Sequence, residues 1–289
     1  MPSRTRFAWP VPGMVQVDVT STQLRMSVRW KFTLTITAAP DGVRRIVRWT
    51  NPTILPGQQF DESHDQVLRV VVMQHALMAA APELVVSPTG ALVDIRIEPQ
   101  EVLRVIFPAV VGRWRPQLVE AMTEAVERPE FRAIQADRAA ALWNSWVGAW
   151  IELPTTPGPL ERVDGRVEGL GGIAMRDAFG ARQGPTTLPG HILLSRRTLT
   201  DMHAQSMHHF VQATMGGDLS GVSDGSPPAT HEDAVEAVTD PGSLRPHSVR
   251  VTSSFYIMVP DPYPFESVYT FHWPAAQGAD ARDARGSRQ

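Results

Sequence analysis

The sequence predicts an α+β fold: a curled antiparallel sheet, built from N- and C-terminal strands, packed on central helices in a half-barrel-like arrangement. Three observations predict it. Leu24 to Ile36 alternates without error, with Leu24, Met26, Val28, Trp30, Phe32, Leu34 and Ile36 on one face and Arg25, Ser27, Arg29, Lys31, Thr33 and Thr35 on the other. A period of two over that length is a strand with one face buried and one wet. Such alternation marks an antiparallel sheet, because buried parallel strands read as continuous apolar runs. Val249–Val259 and Ser267–Trp273 alternate in the same way near the other end of the chain. Between these ends, apolar residues recur at helical spacing.

Taken in order, Val15, Val17 and Val19 open a strand that leads into Leu24–Ile36. The Ala-Ala-Pro-Asp-Gly segment at 38–42 has turn chemistry, and Val43 to Thr50 returns with Val47 and Trp49 on one face until Asn51, Pro52 and Pro56 end it. Asp61 to Ala81 reads as a helix: Val67, Leu68, Val71, Leu77 and Met78 share a stripe, Asp61 and Glu62 suit the positive end of the dipole, and Pro82 closes it. Leu84–Val86 and Ala91–Ile97 form a hairpin with Ala91, Val93, Ile95 and Ile97 on one face. From Pro99 to Ile151 the chain reads as helices punctuated by Pro108, Pro116 and Pro129. Residues 152–190, rich in glycine and proline, read as irregular, with a short strand at Arg162–Glu168 and another at Ile192–Leu194. Thr200 to Met215 reads as a helix and Asp218 to Thr230 as a loop. Residues 1–273 are therefore expected to form a single domain, and 274–289, with nothing to bury, a disordered tail.

Composition narrows the function. The 289 residues are 43% hydrophobic and 20% charged, which suits a globular chain able to bury roughly three quarters of its unfolded surface. A net charge of −3 lacks the concentrated basic surface that nucleic acid demands. Lys31 is the sole lysine, so catalytic-lysine chemistry has no buried candidate; arginine usage of this kind fits a GC-rich bacterial genome. Without cysteine there are no disulfides, thiolate nucleophiles or cysteine metal sites. The beginning, MPSRTRFAWPVPGMVQV, has no apolar stretch of a signal peptide, and no run is long enough to span a membrane. The expectation is a soluble, cytoplasmic protein, or a periplasmic one if a leader has been removed.

Motifs that match catalytic patterns lack their context. Gly221-Val222-Ser223-Asp224-Gly225 fits a nucleophile elbow but has loop chemistry on both sides. Gly169-Leu170-Gly171-Gly172-Ile173-Ala174 fits a loose dinucleotide fingerprint, yet the strand before it is too polar and no acid follows at the required distance. On a helix, His203 would stand about 140° from His208 and about 120° from His209, so the three cannot share one ion. His231-Glu232-Asp233 and the adjacent acids Asp61 and Glu62 suit loops and helix starts. Arg25, Arg29, Lys31, Arg44, Arg45 and Arg48 make one basic surface, which suits either an acidic partner or a sheet face kept soluble by charge.

Trp143, Trp146 and Trp150 fall at i, i+3 and i+7, on one helix face. With Trp30 and Trp49 they are the candidate ligand-binding residues; the same stripe would also serve as the seam that docks a helix on a sheet. Neither catalytic nor metal-ligating residues, nor a cofactor, are expected. The segments 141–150 and 239–246 resemble stretches of uncharacterised bacterial proteins, typically exported ones of deltaproteobacterial type, and that resemblance implies one domain and no named activity. The architecture resembles the half-barrels of bacterial lipoprotein carriers. The expected function is non-enzymatic binding of a hydrophobic small molecule or lipid. A structural or assembly role through protein contacts is the first alternative, and a hydrolase or metal-dependent enzyme using Ser223 or the histidines the second.

Overall fold

The computed structural model describes residues 4–23, 26–55, 83–97, 124, 127–156, 158, 163–169, 173–202, 229–256 and 265–274. Its strands are β1 (Gly13–Gln23), β2 (Met26–Ala38), β3 (Arg45–Ile54), β4 (Glu83–Val86), β5 (Leu92–Arg96), β6 (Val163–Gly169), β7 (Ile173–Gly184), β8 (Ile192–Met202), β9 (Ala229–Asp240), β10 (Arg245–Tyr256) and β11 (Phe265–His272). Helix α1 (Pro129–Trp146) and a 3-10 turn at Gly148–Trp150 lie between β5 and β6.

All eleven strands form one antiparallel sheet in the order β5-β4-β3-β2-β1-β11-β10-β9-β8-β7-β6. Each half is a meander, and the halves meet where β1 pairs with β11, from Gln16 opposite His272 to Thr22 opposite Glu266. Among the described residues no pairing joins β5 to β6, so the sheet is open. The expected alternation holds: Trp30, Phe32, Leu34 and Ile36 are buried while Arg29 is exposed. Val15, Val17 and Val19 on β1, Val47 and Trp49 on β3, Ala237 on β9, Val249 on β10, and Tyr269 and Phe271 on β11 complete the apolar face. Apolar area removed from water is the main favourable term in holding such a sheet against its helix.

The fold is sheet-rich. Among the described residues the expected set of central helices is represented by α1 alone, which lies on the apolar face in contact with β5, β9 and β10. The segments expected as a helix at 61–81 and as helices through 99–123 lie outside the described residues, as do most of 200–215, most of the loop 218–230, and the tail beyond Pro274. Where the expectations and the structure can be compared, several differ. Residues 152–190 are less irregular than expected: the strand expected at Arg162–Glu168 is present as β6, and it forms a long hairpin with β7, with Val163 opposite Phe179 and Gly169 opposite Ile173. Ile192–Leu194 is the start of an eleven-residue strand, and Thr200–Met202 are its end, not a helix cap. His231-Glu232-Asp233 lie within β9, not a loop. In each case a cross-strand ladder, Ile192 opposite Thr239 through Met202 opposite Ala229, overrides weak local preference. β3 continues past Asn51 and Pro52 through a bulge, with Asn51 at φ 53° and the register shifting between Lys31 and Thr33. A second shift, between Val85 and Val86, turns Leu92 and Ile95 to the core and leaves Val93 exposed.

The chain before β1 is woven into the core. Thr5 N–H donates to the Leu153 carbonyl at 2.9 Å, Ala8 N–H to Ser243 O at 2.9 Å, and the Trp9 indole to Leu244 O at 2.9 Å. Phe7 and Trp9 pack edge-on against Trp143, at centroid distances of 5.8 and 5.3 Å. Phe7 also sits on Gly90, which has φ +91° and would place a Cβ 2.6 Å from the Phe7 ring. Gly90→Ala is therefore expected to lower stability by about 2–4 kcal/mol, through left-handed strain plus overpacking, measured as a shift in denaturant midpoint. At the β2–β3 turn, the Arg44 backbone and guanidinium and the Val43 N–H hold the Asp41 carboxyl down to about 2. A depressed carboxyl stabilises the fold above its unfolded range near 3.8 and loses that contribution as pH falls towards about 2. Asp41→Asn should flatten the acid limb of a stability-against-pH curve in that window and leave its neutral region nearly parallel to wild type.

Candidate ligand-binding face

Trp146 stands at the centre of the apolar face. Its ring lies 5.6 Å from Trp49 on β3, 6.2 Å from Phe32 on β2, and 5.5 and 5.4 Å from Tyr269 and Phe271 on β11. Trp30 stacks on Phe32 at 5.1 Å. The valines of β1 lie between the rings of β2 and those of β11, so shorter side chains between two aromatic rows leave room for the indole. Trp146 thereby contacts both meanders at once.

The structure brings the five candidate tryptophans into one buried cluster and divides them by hydrogen bonding. Trp143 Nε1 donates to Gly90 O at 2.9 Å and Trp150 Nε1 to Ser145 O at 2.7 Å, so these two indoles fasten α1 and the turn after it. Trp146 Nε1 is buried and has no acceptor. A buried donor left without a partner costs about 1–3 kcal/mol, which makes it an exception among buried polar groups. A short row of hydroxyls runs on the same face, ending at Tyr269, whose ring touches that of Trp146. Ser21 and Ser267, cross-strand partners, are hydrogen-bonded at 2.8 Å, and Ser267 also bonds the Tyr269 hydroxyl. Burial pushes the Tyr269 phenol well above its usual range, so it stays neutral; the Ser267 bond opposes that shift without reversing it. An apolar surface of rings with the Trp146 donor and a row of neutral hydroxyls can hold an apolar body that ends in an uncharged acceptor.

Sequence reading did not include Ser21, Ser267, Phe32, Tyr269 or Phe271 among the site residues. The signal for the serines was present. Ser21 continues the parity of Val15, Val17 and Val19, and Ser267 that of Tyr269 and Phe271, so both are polar residues in apolar positions.

Other candidates separate. Ser223, His203, His208 and His209 lie outside the described residues. Glu232 faces away from the core and pairs with Arg197 at 2.9 Å. The basic surface is partly neutralised, since Arg48 bonds Glu83 at 2.8 Å and Arg44 bonds Asp41. Arg45 is not on that surface but stacks over Phe7 at 4.7 Å, where burial lowers its pKa. Among the described residues no group of three or more metal-ligating side chains is gathered, and no helix is long and apolar enough to cross a membrane.

No family model matches the chain, and none of the curated proteins matches it. Among solved structures, one of lipovitellin, described as showing lipid–protein interactions, resembles it with a TM-score of 0.40 and 9% identity. The match covers 94% of this chain and 27% of that one, so the chain spans about a quarter of the larger protein.

The hydrogen-bond division has a measurable consequence. Trp143→Phe and Trp146→Phe remove the same volume, but only the first strands an acceptor, Gly90 O, while the second deletes an unpaired donor. Trp143→Phe should cost about 1–3 kcal/mol more than Trp146→Phe in denaturant unfolding.

Proposed function

We propose that this protein binds a hydrophobic small molecule or lipid on the apolar face of its sheet, beside α1. Residues 1–273 act as one domain, and the open sheet cups the helix as a half-barrel. The observation that carries the reading is the unpartnered, buried Trp146 Nε1 at the centre of an aromatic cluster. A structural core gains nothing from a donor without an acceptor, whereas a binding face needs one polar group to orient an apolar guest. The carbonyl of an ester or protonated acid is the matching acceptor. The neutral hydroxyls of Ser21, Ser267 and Tyr269 extend the same polar line and carry no charge that would repel an uncharged head.

Titration with a fluorescent long-chain fatty ester, read as quenching of tryptophan emission, tests this. Wild type should bind saturably. Trp146→Phe should bind about tenfold more weakly, the worth of one hydrogen bond in a dry site. Absence of saturable binding, with the protein instead a ligand-free oligomer, would favour the assembly role.

A further inference from the structure

A concavity of about 670 Å³ opens at the end of the sheet where β8 to β11 meet, and its lining includes His191, Asp240, Arg245, His247, His272 and Trp273. We propose that this cleft is a binding site for a small organic phosphate, held by Arg245 together with His191 and His247.

The argument starts from register. Arg245 stands directly opposite Asp240 across the β9–β10 ladder, where a cation and a carboxylate ordinarily pair. They do not pair here. Asp240 turns into the β9–β10 turn, where its two oxygens accept from Gly242 N–H at 2.9 Å and from the Ser243 hydroxyl at 2.5 Å. Among the described residues Arg245 makes no ion pair. Its guanidinium lies 5.6 Å over the Trp273 ring, and its Nε is buried without an acceptor. The Trp273 indole is itself fixed by donation to Pro246 O at 2.8 Å, so the wall behind the guanidinium is set.

The histidines are placed by a bulge. The ladder shifts between Pro246 and Ser248, which leaves His247 as the extra, unpaired residue, and a bulge re-aims the side chain it carries. The His247 ring comes to 6.0 Å from that of His191, at 74°. His191 Nδ1 lies 3.0 Å from Pro189 O, so a proton on Nδ1 is held there and Nε2 is left for a ligand. His272 is already committed, with Nε2 at 2.9 Å from Asp18 on β1. The cleft thus holds one unpaired guanidinium and two imidazoles without an acid partner. It holds one lining carboxylate, Asp240, whose oxygens are occupied.

An arginine fork binds two oxygens of a phosphate, and protonated imidazoles bind others. The space far exceeds a bare phosphate, and Trp273 and Pro246 offer an apolar wall for the rest of the molecule. A divalent metal fits less well, because two imidazoles lack a third ligand once Asp240 is engaged. The phosphate could belong to a soluble monoester or to a lipid headgroup, which present the same oxygens. The site does not rest on the apolar face, and Trp146→Phe should leave it unchanged.

The test is a titration of the full chain with glycerol phosphate, followed on the imidazole NMR resonances, with inorganic phosphate and chloride at matched ionic strength beside it. The expected result is saturable binding that perturbs His191 and His247 more than His272. Arg245→Gln should weaken it about tenfold, and His247→Gln should weaken it severalfold. His247 is exposed and Arg245 half-buried, and an unchanged far-ultraviolet circular dichroism spectrum verifies the fold. A parallel sedimentation with phosphatidic acid vesicles assigns the source: Arg245-dependent capture points to a headgroup, and binding of glycerol phosphate alone to a soluble ester. Equal responses to phosphate and chloride, or zinc binding that tightens with rising pH while phosphate does not bind, would overturn the proposal.

Discussion

The β1–β11 ladder is the constraint on which the rest depends. It joins the first strand of the chain to the last and makes two meanders into one sheet. Its register sets Val17 beside Phe271, Val19 beside Tyr269 and Ser21 beside Ser267, all on the apolar face. The neighbouring ladder sets Val17 beside Phe32 and Val19 beside Trp30. A slip of one residue would turn every one of these side chains to water. In register, they form a valine row flanked by aromatic rows, and Trp146 sits across it.

Helix α1 is held there by tertiary contacts more than by its own sequence. Its N-cap position is Arg128, which makes no capping hydrogen bond, although Pro129 suits the first turn. The anchoring lies near the other end, in Trp143 bonded to Gly90 and in the turn that carries Trp150. The segment before β1 then closes that end: Thr5, Phe7 and Trp9 bind the chain after α1 and the β9–β10 turn together. The segment before β1, the chain after α1 and the β9–β10 turn are thereby packed together, with Trp143 touching Phe7 and Trp9 on one side and Trp146 touching both halves of the sheet on the other.

Legibility in the sequence followed the strength of one-faced burial. Leu24–Ile36 and Ser267–Trp273 alternate strictly because one face packs on the core, and from Trp30 to Ile36 and from Ser267 to Phe271 the faces are as read. β8 was read only at its start, Ile192–Leu194, and β9 was missed, because their faces carry Ser195, Arg196, Thr198, His231 and Asp233, a polar pattern that hid what only the partner strands define. β6 was legible as a strand at Arg162–Glu168, but its partner β7 was hidden by the glycines around it, which read as loop. Among the tryptophans, spacing alone placed 143, 146 and 150 on one face. It could not separate the two indoles with acceptors from the one without, because the acceptors, Gly90 O and Ser145 O, are backbone atoms positioned by the fold. The bulge that turns His247 towards His191 has one sequence mark, Pro246, which has no N–H for the ladder.

The central claim is that the face around Trp146 is built to receive a guest. Native mass spectrometry of the protein purified from its own host, before and after extraction with organic solvent, addresses it most directly. The account predicts a bound apolar species on wild type that extraction removes and that Trp146→Phe retains poorly. A protein of bare mass from its host, unchanged by extraction and assembled into a stable oligomer, would contradict it.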